Sequence, residues 1–139
     1  MALTTVREVM TPDPRCIGTD DSLQKAAELM AGDQVGALPI CGQDGQLKGV
    51  LTDRDIVVRG LARGKRLGEP SGGLNQGEAA TVGADDPVDE VLNTMLAHGV
   101  KRLPVIDGTT LVGMVTTADI ARVLPNPAVG DLVKALSLD

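Results

Sequence analysis

Apolar residues recur at helical spacing in two stretches of the chain. Leu23, Ala26, Ala27 and Met30 share one face of the first, and Val88, Val91, Leu92 and Met95 share one face of the second. Each stretch leads into a short apolar run, 37–41 and 103–106. A turn rich in Gly and Asp then leads to another run, 47–51 and 111–115. Such short runs, bounded by turn residues, predict strands. A brief extended piece precedes each helix, at 15–18 and at 80–83, and a second helix is predicted after Thr52 and after Thr116. The helix starts carry their own signals. Asp21, with Gln24 three residues on, reads as a capping box, and Asp86 reads as a cap followed by Pro87 at the first helical position. The predicted order is strand, helix, strand, strand, helix, twice over.

The two halves also match residue by residue at an offset of about 65. Asp20-Asp21-Ser22-Leu23 falls on Asp85-Asp86-Pro87-Val88, and Met30 falls on Met95. Val35 to Ile40 falls on Val100 to Val105, and the Pro39 and Pro104 positions coincide. After a one-residue gap, Leu47 to Thr52 meets Leu111 to Thr116, and Asp55-Ile56 meets Asp119-Ile120. This internal repeat divides the chain into a first repeat with its lead-in at 1–61, a linker at 62–79, a second repeat at 80–124 and a tail at 125–139. The linker is rich in Gly, with a helical turn expected near Leu74. In the tail, Val129, Leu132, Val133 and Leu136 have helical spacing.

Composition narrows the function. The chain has 42% hydrophobic residues and no Phe, Tyr or Trp, so its core is aliphatic and bases cannot stack on aromatic rings. A net charge of −6 argues against broad attraction to nucleic acid. No run approaches the roughly 18 apolar residues of a membrane span, and residues 1–9 do not resemble a secretion signal. A cytoplasmic protein is the expectation. One histidine, His98, lies at a predicted helix end with no second nitrogen ligand or nucleophile beside it, so no metal or catalytic role is assigned to it. Gly60 and Gly64-Lys65 superficially suggest a phosphate loop, but the spacing is one residue short and Arg66 stands where Ser or Thr should be. Cys16 and Cys41 lie at strands of one repeat that the topology tends to place side by side. A disulfide and a pair of reduced thiols both fit.

The chemistry sits where strands become helices. In Gly49-Val50-Leu51-Thr52-Asp53-Arg54-Asp55 and Gly113-Met114-Val115-Thr116-Thr117-Ala118-Asp119, a hydroxyl ends the strand and a carboxylate follows three residues later. The plain reading is a helix cap, in which Thr accepts from the backbone and Asp returns the bond. The functional reading is a ribose clamp: a carboxylate can accept from two adjacent hydroxyls, while Thr and free N–H groups hold a phosphate or sugar oxygen.

These residues resemble the CBS-domain family, whose paired repeats form a Bateman module. Leu38-Pro39-Ile40, Leu103-Pro104-Val105-Ile106-Asp107, the two G-x-h-T-x-x-D segments and Val9-Met10-Thr11 carry the resemblance. It implies an α/β (α+β) fold of two βαββα repeats with pseudo-twofold symmetry, and homodimers. It also implies clefts between the repeats that take AMP, ATP or related adenosyl ligands in many members. Carried over by position, Thr52 and Asp55 serve one cleft, and Thr116 and Asp119 the other. Ile17 and Val82 sit where the base is held, and Lys101 and Arg102 where phosphate is neutralised. The first repeat has Gly36 and Ala37 at those last places, with Arg54 as a partial substitute. A narrower resemblance is to the two-repeat hypoxic-response proteins of actinobacteria. It rests on the run Gly36 to Gly42 and on Leu51 to Val57, followed by Gly60-Leu61-Ala62.

Two functions follow as expectations. One is a regulatory module that senses an adenosyl nucleotide, needs no cofactor and signals to an unidentified protein target. The other is a stress-related scaffold that binds no nucleotide. An enzyme is not expected, because no base, nucleophile and orienting group occur together.

Overall fold

The computed structural model describes residues 4–74 and 79–125, with Pro127, Gly130 and Lys134; the apolar tail positions Val129, Leu132, Val133 and Leu136 lie outside the described residues. Two compact units divide the chain. One is Pro14–Ala79, and the other joins Met1–Asp13 to Ala80–Asp139. The lead-in therefore packs with the second repeat, although it precedes the first in sequence.

In the unit of residues 14–79, β2 (Ile17–Gly18) precedes helix α2 (Leu23–Asp33), and the hairpin β3 (Ala37–Cys41) and β4 (Leu47–Thr52) follows. Strand order is β2-β3-β4, with β2 parallel to β3 and β4 antiparallel to it. The chain then turns into helix α3 (Asp53–Asp55), a π-helical turn at Ile56–Gly60 and a 3-10 turn at Leu61–Arg63. The other unit repeats the plan with β5 (Val82–Gly83), α4 (Val88–His98), β6 (Arg102–Asp107), β7 (Thr110–Thr116) and α5 (Thr117–Ala121). Its lead-in adds helix α1 (Val6–Val9) and β1 (Thr11–Pro12), giving the sheet order β1-β7-β6-β5. The predicted strands and helices form at their expected places. Even the break in hairpin register recurs, at Ile40/Cys41 and at Val105/Ile106.

The cores are aliphatic and built from equivalent positions. Leu23, Ala26, Met30, Leu38, Ile40, Leu51 and Ile56 bury one, and Val88, Val91, Met95, Leu103, Val105, Val115 and Ile120 the other. Removing such side chains from water is the main stabilising term for so small a unit.

Each βαββα core is closed by a segment from outside it, and the two closures match. Val6 N–H donates to Asp86 C=O, Arg7 N–H to Ala84 C=O, and Val88 N–H to Thr4 C=O, at 2.9, 2.8 and 3.1 Å. In the first repeat the linker does the same: Ser71 to Asp21, Gly72 to Thr19, and Leu23 to Glu69, at 2.7, 3.2 and 2.9 Å. Linker residues 69–72 thus stand in the same relation to the first repeat as residues 4–7 do to the second. Val6 fills its core fully buried, whereas the linker brings Leu74 to the other core and buries Ser71, whose hydroxyl donates to Asp21 C=O. The helical turn expected near Leu74 is a 3-10 turn at Gly72–Leu74.

The caps differ from the expectation. Ser22, not Asp21, caps α2 by accepting from Lys25 N–H at 3.1 Å. Pro87 occupies the equivalent cap position before α4, with no side-chain bond. Asp21 and Asp86 instead accept from Gly18 N–H (2.7 Å) and Gly83 N–H (2.9 Å), three residues earlier. The carboxylate lies so close to that glycine that an added Cβ would meet it at 3.1 Å in both repeats. A short side chain that can reach back into the preceding turn does so, leaving the next residue to start the helix.

Candidate functional site

Both Thr–Asp pairs form the same reciprocal cap. Thr116 N–H donates to Asp119 Oδ2 at 2.9 Å, and Asp119 N–H donates to Thr116 Oγ1 at 3.3 Å. Thr52 N–H donates to Asp55 Oδ2 at 2.9 Å, and Asp55 N–H to Thr52 Oγ1 at 3.1 Å. The cap occupies one carboxylate oxygen and leaves Oδ1. Capping and ligand recognition are therefore compatible in one side chain, because a carboxylate has about four acceptor positions. The two carboxylates are only 12–14% exposed, Asp119 at 12% and Asp55 at 14%.

Strand pairing sets what surrounds each cap. Arg102, first residue of β6, lies directly opposite Thr116, last residue of β7. Thr117 N–H also donates to Lys101 C=O at 3.0 Å. Cross-strand partners share a sheet face, so a half-buried Arg102 stands beside the Thr116 cap, with Lys101 exposed next to it. In the first repeat, Ala37 lies opposite Thr52 and Asp53 N–H donates to Gly36 C=O at 2.9 Å. The backbone is the same and the cations are gone. Arg54 is exposed on α3, where the second repeat has Ala118.

Ile17 and Val82 sit on β2 and β5, at the edges of their sheets. Their side chains are buried in the two cores, opposite Ile40 and Val105. What these positions can offer a ligand is main chain along a sheet edge, where one row of N–H and C=O groups faces away from the neighbouring strand.

The structure joins Cys16 to Cys41 by a disulfide, with Cα atoms 5.7 Å apart. The bond ties the start of β2 to the end of β3, and Cys16 is exposed. His98 is the last residue of α4. Among the described residues, no three His, Cys, Asp or Glu side chains group so as to hold a metal ion. Nor is any helix among them long and apolar enough to cross a membrane.

Two arginines escaped the sequence reading. Arg59 Nε lies 3.7 Å from Asp55 Oδ1, and Arg122 Nη1 lies 3.7 Å from Asp119 Oδ1. Helical spacing of four and three residues from each Asp was the available signal. Arg7 was also missed. It donates to Asp85 and Asp107, at 3.2 and 3.0 Å, fastening the lead-in to the second repeat. These two carboxylates raise its already high pKa, Asp85 having the larger effect.

The CBS-domain model matches residues 6–61 and 76–126. The chain belongs to the CBS-domain family. CBS domains are regulatory modules, and here two repeats are present. The chain is 45% identical over 135 residues to hypoxic response protein 1 of Mycobacterium tuberculosis, covering 96% of this chain and 94% of that protein. A crystal structure of hypoxic response protein I with two coordinated zinc ions superposes with a TM-score of 0.80 at 46% identity, covering 88% of this chain and all of that one. The CBS domain pair of MJ0100, solved with 5′-methylthioadenosine and S-adenosyl-L-methionine, gives a TM-score of 0.78 at 28% identity, with 87% and 95% of the two chains covered. CBSX2 in complex with AMP gives 0.72 at 25% identity, with 85% and 93% covered.

Proposed function

We propose that this CBS protein is a regulatory sensor that binds an adenosyl nucleotide of the AMP or ATP type at the second repeat, and that it is not an enzyme. The observation that carries the reading is the pairing of Arg102 with Thr116 at the end of the β6–β7 hairpin, with Lys101 adjacent. That register sets Arg102 across the hairpin from Thr116, whose cap leaves Asp119 Oδ1 unused, and Lys101 is the next cation along the chain. Asp119 Oδ1 accepts from the ribose hydroxyls, Arg102 and Lys101 neutralise phosphate, and the edge of β5 at Val82 holds the base through main chain. The first repeat offers Thr52, Asp55, the β2 edge at Ile17 and Arg54, without that cationic pair. The relatives solved with AMP and with S-adenosyl-L-methionine support the ligand class.

A stress-related role that needs no nucleotide is the second reading, favoured by the 45% identity to a hypoxic response protein. Cytoplasmic residence is a further part of the proposal, and in that compartment a disulfide with one exposed partner, Cys16, is subject to reduction.

Isothermal titration with AMP, ATP, 2′-deoxy-AMP and S-adenosylmethionine separates the readings. A charge-assisted contact contributes about 1.5–3 kcal/mol. Arg102→Ala should therefore weaken AMP about tenfold or more and adenosine far less, the difference shrinking at high salt. Asp119→Ala should weaken both, and 2′-deoxy-AMP should bind worse than AMP. No heat with any of them at millimolar concentration leaves the scaffold reading.

A further inference from the structure

The free oxygens of the two clamp carboxylates face different arginines, and the difference is not one of distance. Arg59 is held at two points. Its Nε is 3.7 Å from Asp55 Oδ1, and its Nη1 donates to Leu74 C=O at 2.9 Å in a half-buried bond. Leu74 is itself buried in the core of that unit. A planar guanidinium fixed by a backbone carbonyl at one end loses little further freedom by staying on the carboxylate. Arg122 has only the one contact among the described residues, to Asp119 Oδ1, and its side chain is 76% exposed against 49% for Arg59. A largely exposed arginine held at one point is released more easily by a competing donor than one also fixed to a backbone carbonyl.

Sequence explains the asymmetry. Arg59 stands four residues after Asp55, within reach of the linker. The residue four after Asp119 is Val123, and the arginine comes one position earlier.

We infer that Arg59 is a resident occupant of the first repeat's clamp, excluding a ribose diol from Asp55, so that each chain takes a single adenosyl ligand, at Asp119. Arg59 is a specificity-determining residue that acts through Asp55, and Arg122 is a displaceable partner that leaves when the ligand arrives. This rests on the proposed nucleotide-binding function.

The test is the stoichiometry of AMP binding by isothermal titration, in the full chain and in three variants. The wild type and Arg122→Met should bind one AMP per chain. Arg59→Met should bind two, the second about tenfold more weakly because Gly36 and Ala37 replace the cations. Arg59→Gln releases Asp55 while keeping a donor for Leu74 C=O, so it should show the second site with a melting temperature near that of the wild type. That second variant guards against a folding defect in Arg59→Met. Two sites in the wild type, or a single site in both Arg59 variants, overturns the inference and leaves nucleotide binding standing. No heat in the wild type or any variant overturns the nucleotide-binding function, and this inference with it.

Discussion

Asp21 shows how much of a local design can rest on one carboxylate. It accepts from Gly18 N–H at 2.7 Å, and Lys25 Nζ lies 3.3 Å away. The amide hydrogen bond, followed by the lysine, holds its carboxyl below the usual carboxylate range despite some desolvation. A folded-state pKa below the unfolded one stabilises the fold above the unfolded value, and that stabilisation is lost as pH falls through the folded value. Asp21→Asn should therefore cost about 1 kcal/mol at neutral pH, a figure lowered for solvent screening. The gap to wild type should close as pH drops below about 4. Denaturant unfolding at pH 7 and pH 3 measures it, and an equal gap at both would mean that the charge plays no part.

Among the elements, α2 and α4 invite comparison, because they are equivalent helices with unequal ends. Gly99 closes α4 in the left-handed region at φ 63°, where glycine carries no steric penalty. Gln34 closes α2 in the same region at φ 56°. A side chain there costs about 1 kcal/mol relative to glycine. Gln34→Gly should stabilise the protein by up to about 1 kcal/mol, seen as a higher denaturant midpoint with an unchanged slope. A fall in the midpoint would mean that Gln34 contributes contacts larger than its backbone penalty.

For the whole molecule, association is the open property, and we expect a homodimer. The apolar faces of α2 and α4 are largely spent within their own units: Leu23, Met30, Val88 and Met95 are buried in the cores, Leu92 is half-buried, and Ala27, expected on the same face as Leu23, is exposed. The large apolar side chains left exposed include Val57, Val58 and Leu61 after α3, and Leu96 and Val123 in the other unit. Exposed aliphatic side chains on so small a protein favour a partner surface. Light scattering at micromolar concentration should give twice the mass of the chain. A monomer there would overturn the expectation, and Val57→Asp should weaken any dimer that forms through the first of these surfaces.

Periodicity and repetition carried most of the fold. Strand and helix positions, the aliphatic cores and the Thr52–Asp55 and Thr116–Asp119 caps follow from spacing alone, because such elements depend on neighbours one to four residues apart. The position of Arg102 beside Thr116 could be inferred once a hairpin was assumed. Three features depended on contacts distant in sequence, and only the tertiary structure decided them. Residues 4–13 close the second repeat and residues 69–74 close the first, through backbone hydrogen bonds that leave no mark on side-chain pattern. Asp21 and Asp86 turn back to Gly18 and Gly83 instead of capping helices, since a short carboxylate is drawn to whichever amide the turn presents. The last is the Arg59 contact with Leu74 C=O, across fifteen residues. A sequence shows an arginine four residues from an aspartate, but only the folded linker supplies the carbonyl that holds it there.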